Sequence, residues 1–258
     1  MKIVILTSNS LRHKFLANTL SQHCEDVLII SECKPQTSSS DDSKSYTEID
    51  NHFMLRDEIE KSFFPNDNYF IPKTLPIVYK EANSPYVYQV IKNFKPDILI
   101  VFGSSIIKEP LISLLPAGSI INLHLGISPY YRGSGTNFWP LVNNELEYLG
   151  STILHLDSGI DTGDIICHVR PEIELGDTVH SIGCKIIKSS VNCLVKIIKL
   201  LNEGKKLNRV KQWDVKDRYY KTKDFDEFAL CKYKENLKNN LIKNYLESED
   251  KKIKLIDL

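Results

Sequence analysis

Five apolar residues in a row, Ile98-Leu99-Ile100-Val101-Phe102, begin two residues after Pro96 and stop at Gly103. A run this short and this rich in β-branched side chains reads as a strand, and Pro96 and Gly103 punctuate its ends. A strand without a polar face must be covered on both sides, as a central strand of a parallel sheet is. That requires helices on either side of it and further strand–helix units in the rest of the chain.

The flanking sequence supplies those units. Lys2 to Leu6 is a second apolar run, followed by the polar loop Thr7-Ser8-Asn9-Ser10 and an amphipathic stretch carrying Leu11, Phe15, Leu16 and Leu20. Val27 to Ile30 repeats the strand pattern, and a strand returning after a helix is the βαβ unit. A helix is expected near Ile49 to Phe63 and a strand at Ile77-Val78-Tyr79. Ser84 and Pro85 open a capped helix through Val87, Val90, Ile91 and Phe94, which Pro96 ends. A short helix is expected from about Ile106 to Leu115, with strand resuming over Ser119 to His124. Asp177-Thr178 caps a long helix through Ile182, Ile186, Ile187, Leu194, Ile198 and Leu201, closed by Gly204. The reading is α/β, a doubly wound, Rossmann-like and mostly parallel sheet that binds ligands at its carboxyl edge. Residues 1–204 form the main domain. Residues 205–258 form an appendage, with a hairpin or extended segment over Arg209 to Lys223 and then a helix carrying Phe225, Phe228, Tyr233 and Leu237. Residues 34–44, rich in Ser, Asp and Thr, read as a mobile surface loop.

With 258 residues the chain can bury a full core without covalent staples. Basic and acidic residues number 33 each, so no whole-chain field draws in nucleic acid or an anionic membrane. Residues 205–258 hold 15 basic and 10 acidic side chains, a mild positive bias. No apolar window is long enough to span a membrane and the start lacks a signal-peptide pattern, so a cytoplasmic protein is expected. Six cysteines without a Cys-x-x-Cys pair read as buried free thiols, and no residue set has metal-ligand spacing, so no metal is called for.

Chemistry concentrates in two stretches, Asn122-Leu123-His124-Leu125-Gly126-Ile127-Ser128-Pro129-Tyr130-Tyr131-Arg132-Gly133 and Asp157-Ser158-Gly159-Ile160-Asp161-Thr162-Gly163-Asp164. Two residues apart on a strand, Asn122 and His124 point to the same side and can share a ligand. An amide and an imidazole offer donors to an oxygen gaining negative charge, and a carboxylate can orient the imidazole or take a proton. This is a workable acyl-transfer site without a metal. The other histidines, His13, His23, His52, His155, His168 and His180, show no such constellation and read as structural or surface residues. Asp157 and Asp164 also fit as turn caps, and Trp139 as core.

These stretches resemble the 10-formyltetrahydrofolate-dependent formyltransferases, which carry Asn-x-His-x-Ser-x-Leu-Pro, then Arg-Gly or Lys-Gly, then Asp-x-Gly-x-Asp-x-Gly. The likeness is close over residues 95–170 and architectural over 1–204. It implies that Asn122, His124 and Asp161 are catalytic and that 10-formyltetrahydrofolate is the co-substrate. It also implies direct attack of an amine on the formyl carbon, with Asn122 and protonated His124 stabilising the oxyanion. The pterin is expected against the loop of Gly103, Ser104, Ser105, Ile106 and Lys108 and against Asp157. Where the family has Ser, this chain has Gly126, so a hydroxyl beside the histidine is missing.

Thr136-Asn137-Phe138-Trp139 resembles a segment of the short sugar N-formyltransferases, and the tail is shorter than the RNA-binding barrel of the tRNA enzymes. The expected acceptor is therefore the amine of a nucleotide-linked amino sugar, with methionyl-tRNA, glycinamide ribonucleotide, water (a formyltetrahydrofolate hydrolase) and a non-catalytic folate-binding module as alternatives. Ser8, Asn9, Ser10 and Arg12 read either as a polar helix start or as contacts to an acceptor phosphate. Tyr130, Arg132 and Asn137 complete the expected acceptor side. A homodimer is the expected assembly.

Overall fold

A computed structural model describes residues 1–33, 47–216, 218–248 and 252–258; the segment 34–44, read above as a surface loop, lies outside them. Strands β1 (Lys2–Ser8), β2 (Asp26–Cys33), β3 (Lys73–Val78), β4 (Ile98–Phe102), β5 (Ile120–His124), β7 (Ser151–His155) and β8 (Ile165–Val169) form one sheet in the order β3-β2-β1-β4-β5-β7-β8. The first five run parallel, while β7 and β8 are antiparallel to their neighbours. Helices α1 (Leu11–Ser21), α2 (Glu48–Phe63), α3 (Pro85–Phe94) and α5 (Val179–Asn202) surround the sheet; a short α4 (Trp139–Asn143) precedes β7.

Strand alternation divides the core. Ile3, Ile5, Ile29, Ile100 and Ile121 join Leu16 and Leu20 of α1 and Val191, Leu194 and Ile198 of α5 on one face. Val4, Leu6, Leu28, Ile30, Leu99 and Val101 meet Val87 and Ile91 of α3 on the other. Burying such side chains contributes about 1.5–3 kcal/mol apiece, which holds the strand ends at fixed spacing. The caps follow the sequence: the Ser84 hydroxyl accepts from Val87 N ahead of Pro85, and Thr178 and Ser181 make a capping box at the start of α5.

Three local expectations are corrected. Residues 106–115 form only a single 3₁₀ turn at Ile112–Leu114, because Pro110 offers no N–H and disfavours helix at Glu109, while Asn83 takes the Ile106 carbonyl and the Lys108 amide. Of the two readings of 209–223, the described residues take the extended one and not the hairpin. Strand β9 (Arg218–Tyr220) pairs in parallel with β6 (Tyr131–Gly133), and Val210 bridges to Ile165. Of the cysteines, Cys167 and Cys184 are buried but Cys33 and Cys231 are exposed.

The chain then continues into α6 (Glu227–Lys238) and α7 (Leu241–Glu247). Leu230, Tyr233, Leu241 and Ile242 pack with Phe138, Trp139 and Val179 in a third apolar cluster. Trp139 is buried there, stacked on Tyr220 at 4.1 Å between centroids. Among the described residues no helix is long and apolar enough to cross a membrane.

Candidate active site

Strands β4 and β5 bring their carboxyl ends to a cavity of about 1220 Å³. A single small-molecule site usually occupies about 300–1,000 Å³, so this one has room for two reactants. Ile121 and Leu123 belong to the α1/α5 core face, which turns Asn122 and His124 together to the opposite side. Both line the cavity, as does Asp161.

The imidazole of His124 is buried between two oxygens. Its Nε2 donates to the Tyr131 carbonyl at 3.1 Å, and its Nδ1 lies 3.4 Å from Asp161 Oδ2. A carbonyl can only accept, so Nε2 carries a proton. Asp161 sits in the left-handed region at φ 53°, which Asp tolerates better than most residues. Gln212 Nε2 holds that turn by donating to the carbonyls of Asp161 (2.7 Å) and Gly163 (3.0 Å), while Gly133 N donates to Asp161 Oδ2 at 3.2 Å. A Cβ at Gly163 would stand 1.7 Å from the His155 carbonyl, so only glycine lets this turn lie against β7. The carboxamide of Asn122 has no hydrogen-bond partner among the described residues and faces the cavity.

Gly126 has a steric reason of its own. A Cβ there would meet His124 Nε2 at 2.6 Å and Thr136 Cβ at 2.7 Å. Thr136, buried, donates its hydroxyl to the Leu125 carbonyl and fills the space that a side chain at 126 would take.

The loop expected to meet the pterin lines one wall: Gly103, Ser104, Ser105, Ile106 and Lys108 all face the cavity, with Asp157. Two residues that sequence reading missed hold this loop from behind. Fully buried Glu32 accepts from Ser105 N at 2.7 Å and Ser105 Oγ at 2.6 Å, and also from Lys80 N at 3.1 Å. Asn83 accepts from Lys108 N and donates to the Ile106 carbonyl. The Asp157 carboxylate is engaged within its own turn, accepting from Gly159 N and the Thr162 hydroxyl. That wall therefore offers ligands mainly backbone.

Of the residues expected around the acceptor, Arg12 and Asn137 line the cavity and Ser8, Asn9, Ser10, Tyr130 and Arg132 do not. Ser8 follows Val4 and Leu6 in strand parity and is buried; Asn9 faces a separate hollow beside Lys14 and Tyr69; Ser10 is the residue that starts α1. Tyr130 packs on Tyr148, 4.9 Å between ring centroids, and Arg132 lies in β6. Arg12 pairs with buried Glu60. Asn137 accepts from Gly150 N, and its buried Nδ2 has no hydrogen-bond partner among the described residues.

The far end of the cavity is where two of the histidines read as structural or surface residues, His52 and His180, are placed. His52, Phe53 and Arg56 of α2 meet Val179 and His180 of α5, with Phe138 and Phe225. Ring centroids lie 4.3 Å apart for His52 and His180, 5.3 Å for His52 and Phe225, and 4.8 Å for Phe138 and Phe225. Burial, reinforced by Arg56 for both rings, pushes the pKa of His52 down to about 4 and that of His180 down to about 3. Both are neutral rings at pH 7. No local pattern marks them, because four distant segments build this end.

The profile of the formyl transferase family matches residues 1–198. A methionyl-tRNA formyltransferase of Desulforamulus reducens is 36% identical over 115 residues, 45% of this chain and 36% of that protein. The chain spans between about a third and a half of the length of the curated relatives it matches. Among solved structures, a 4-N formyltransferase from Francisella tularensis superposes with a TM-score of 0.58 at 18% identity, covering 90% of this chain and 86% of that one. An N-formyltransferase from Helicobacter canadensis, in complex with folinic acid and dTDP-3-aminofucose, gives 0.57 at 19% identity, covering 88% and 73%. At these identities the structures establish a shared fold.

Proposed function

Because the chain belongs to the formyl transferase family, we propose that it moves a formyl group from 10-formyltetrahydrofolate to the amine of a nucleotide-linked amino sugar. The observation that carries this reading is His124, held between the Tyr131 carbonyl and Asp161 beside the uncommitted carboxamide of Asn122. The folate supplies the activated formyl carbon. The Nε2 bond fixes the ring, and Nδ1, whose partner among the described residues stands at a loose 3.4 Å, is the donor placed for an oxygen gaining charge. Asn122 offers a second N–H from the same strand face. Asp161 is placed to accept the proton that the attacking amine sheds and to return it to the folate nitrogen as the bond from that nitrogen to the formyl carbon breaks. Gly103 to Lys108, braced by Glu32 and Asn83, suit a pterin that bonds to backbone.

The acceptor assignment draws on the other end of the cavity. Neutral His52 and His180 with Phe53, Phe138 and Phe225 offer ring faces to a planar base, and Arg56 places a cation beside them. The Helicobacter canadensis neighbour, in complex with an amino sugar nucleotide, supports the same class. The curated relatives favour a second reading, in which the acceptor is methionyl-tRNA. Incubation with 10-formyltetrahydrofolate and, separately, dTDP- and UDP-linked amino sugars, methionyl-tRNA and glycinamide ribonucleotide tests both. Formylation of a nucleotide sugar alone is the expected result. Formylation of methionyl-tRNA alone transfers the assignment to the second reading, and formate release at the same rate without an amine marks a hydrolase.

A further inference from the structure

Residues 252–258 lie against the loop that supplies the Tyr131 carbonyl to His124. His168, on β8, stands between them. Its backbone N donates to the Ile256 carbonyl at 2.7 Å, its Nδ1 accepts from Ile256 N at 2.9 Å, and its Nε2 donates to the Ser128 carbonyl at 2.8 Å. One neighbour needs an acceptor at Nδ1 and the other a donor at Nε2, so only the neutral Nε2–H tautomer satisfies both. Burial, which holds the pKa of His168 below its ordinary value, agrees with that form.

The same segment touches the loop a second time. Lys254 N donates to the Tyr130 hydroxyl at 3.3 Å, and Lys254 Nζ lies 4.1 Å from the centre of the Trp213 ring, which packs on both Tyr130 and His168. Asn208 anchors the segment by donating to the carbonyls of Asp257 and Ile166. On the loop side, Ser128 N donates to Thr152 Oγ1, which donates to the Gly126 carbonyl. Residues 126–131 are thus tied to the sheet by Thr152 and to the C-terminal segment through His168 and Tyr130.

We propose that residues 252–258 act as a strap, and that His168 is the positioning residue through which the strap holds the 126–131 loop and, with it, His124. The catalytic consequence rests on the formyl-transfer reading; the mechanical link does not. A displacement of about 1 Å in a catalytic group can cost about a hundredfold in rate, so a loop tethered at its middle by one imidazole is sensitive to that tether.

The test compares the full chain with a form lacking residues 252–258 and with His168→Ala and His168→Gln. The glutamine amide retains one acceptor and one donor. Each protein is assayed for kcat, for folate KM, for thermal midpoint and for backbone amide exchange over residues 126–131 without ligands. Strap removal and His168→Ala are each expected to speed exchange in that loop and to lower kcat about tenfold or more, with folate KM within about twofold. His168→Gln is expected to restore most of the exchange protection and of kcat. Loop exchange unchanged by both disruptions overturns the proposal. So does a fall in kcat that follows the thermal midpoint and that glutamine does not rescue. If the full chain formylates no acceptor, the functional reading fails by itself and the exchange comparison alone decides the strap.

Discussion

Glu32 carries the backbone of Ser105 across the end of the sheet: its Oε2 accepts from Ser105 N at 2.7 Å from a position with no solvent exposure. The loop from Gly103 to Lys108 is therefore held by a carboxyl buried behind it, outside the residues that line the cavity. Glu32→Gln puts an amide NH₂ against the Ser105 N–H or its hydroxyl and breaks one charge-assisted bond, worth about 1.5–3 kcal/mol. Affinity for a stable folate analogue is expected to fall about tenfold or more, with kcat at saturating folate little changed. Calorimetry that finds the affinity unaltered would remove Glu32 from this role.

Asn122→Ala deletes a donor that has no structural duty among the described residues. Turnover is expected to drop about a hundredfold or more, with folate affinity close to that of the parent. Steady-state kinetics beside a folate titration separates the two, and an unchanged kcat would refute the oxyanion role.

Gly126→Ser would give this chain the side chain of the family pattern, yet it is expected to inactivate it. The added Cβ meets His124 Nε2 and Thr136 at under 3 Å, so the imidazole must leave the Tyr131 carbonyl or Thr136 must shift. A loss of about a hundredfold in kcat is expected, the scale for displacing a catalytic group by an ångström. Combining it with Thr136→Ala, which vacates the opposing volume, should recover part of the loss. A serine variant as active as the parent would show that the loop yields freely.

Acid should destabilise the fold through His52 and His180. In the unfolded chain both titrate near 6.5, but in the folded chain only near 4 and 3. Between those values the unfolded state binds more protons, so the stability they contribute is complete above about pH 6.5 and is lost as pH falls toward 4. His155 and His168, whose pKa values are also lowered, act in the same direction. Urea midpoints should decline steadily from about pH 7 to pH 5, and the double variant His52→Gln/His180→Gln should flatten the decline. A slope identical in that variant would assign the acid sensitivity elsewhere.

How much of this was legible in the sequence depends on how local each signal is. Asn122 and His124 could be read because strand parity links residues two apart, and Asp161 only through the resemblance of its glycine-spaced turn to the formyltransferase pattern. The sheet's centre could be read from Ile98 to Phe102 alone. Glu32, Gln212 and His168 could not, since each acts on backbone more than 35 residues away in the chain and carries no motif. The helix expected over 106–115 failed for a local reason: Pro110, inside that stretch, withholds the donor that a helix needs there.

The pairing of β6 with β9 also has a consequence in time. Asn122, His124 and Asp161 all leave the ribosome before Arg218, whose strand must dock beside Tyr131, and before Ile256, which meets His168. Strands β1 to β5 can pair as they emerge, since each finds its partner among residues already made. A nascent chain can thus hold Asn122, His124 and Asp161 and still lack the contacts that position them, so this site is complete only once residues 218–220 and 256 have emerged and docked.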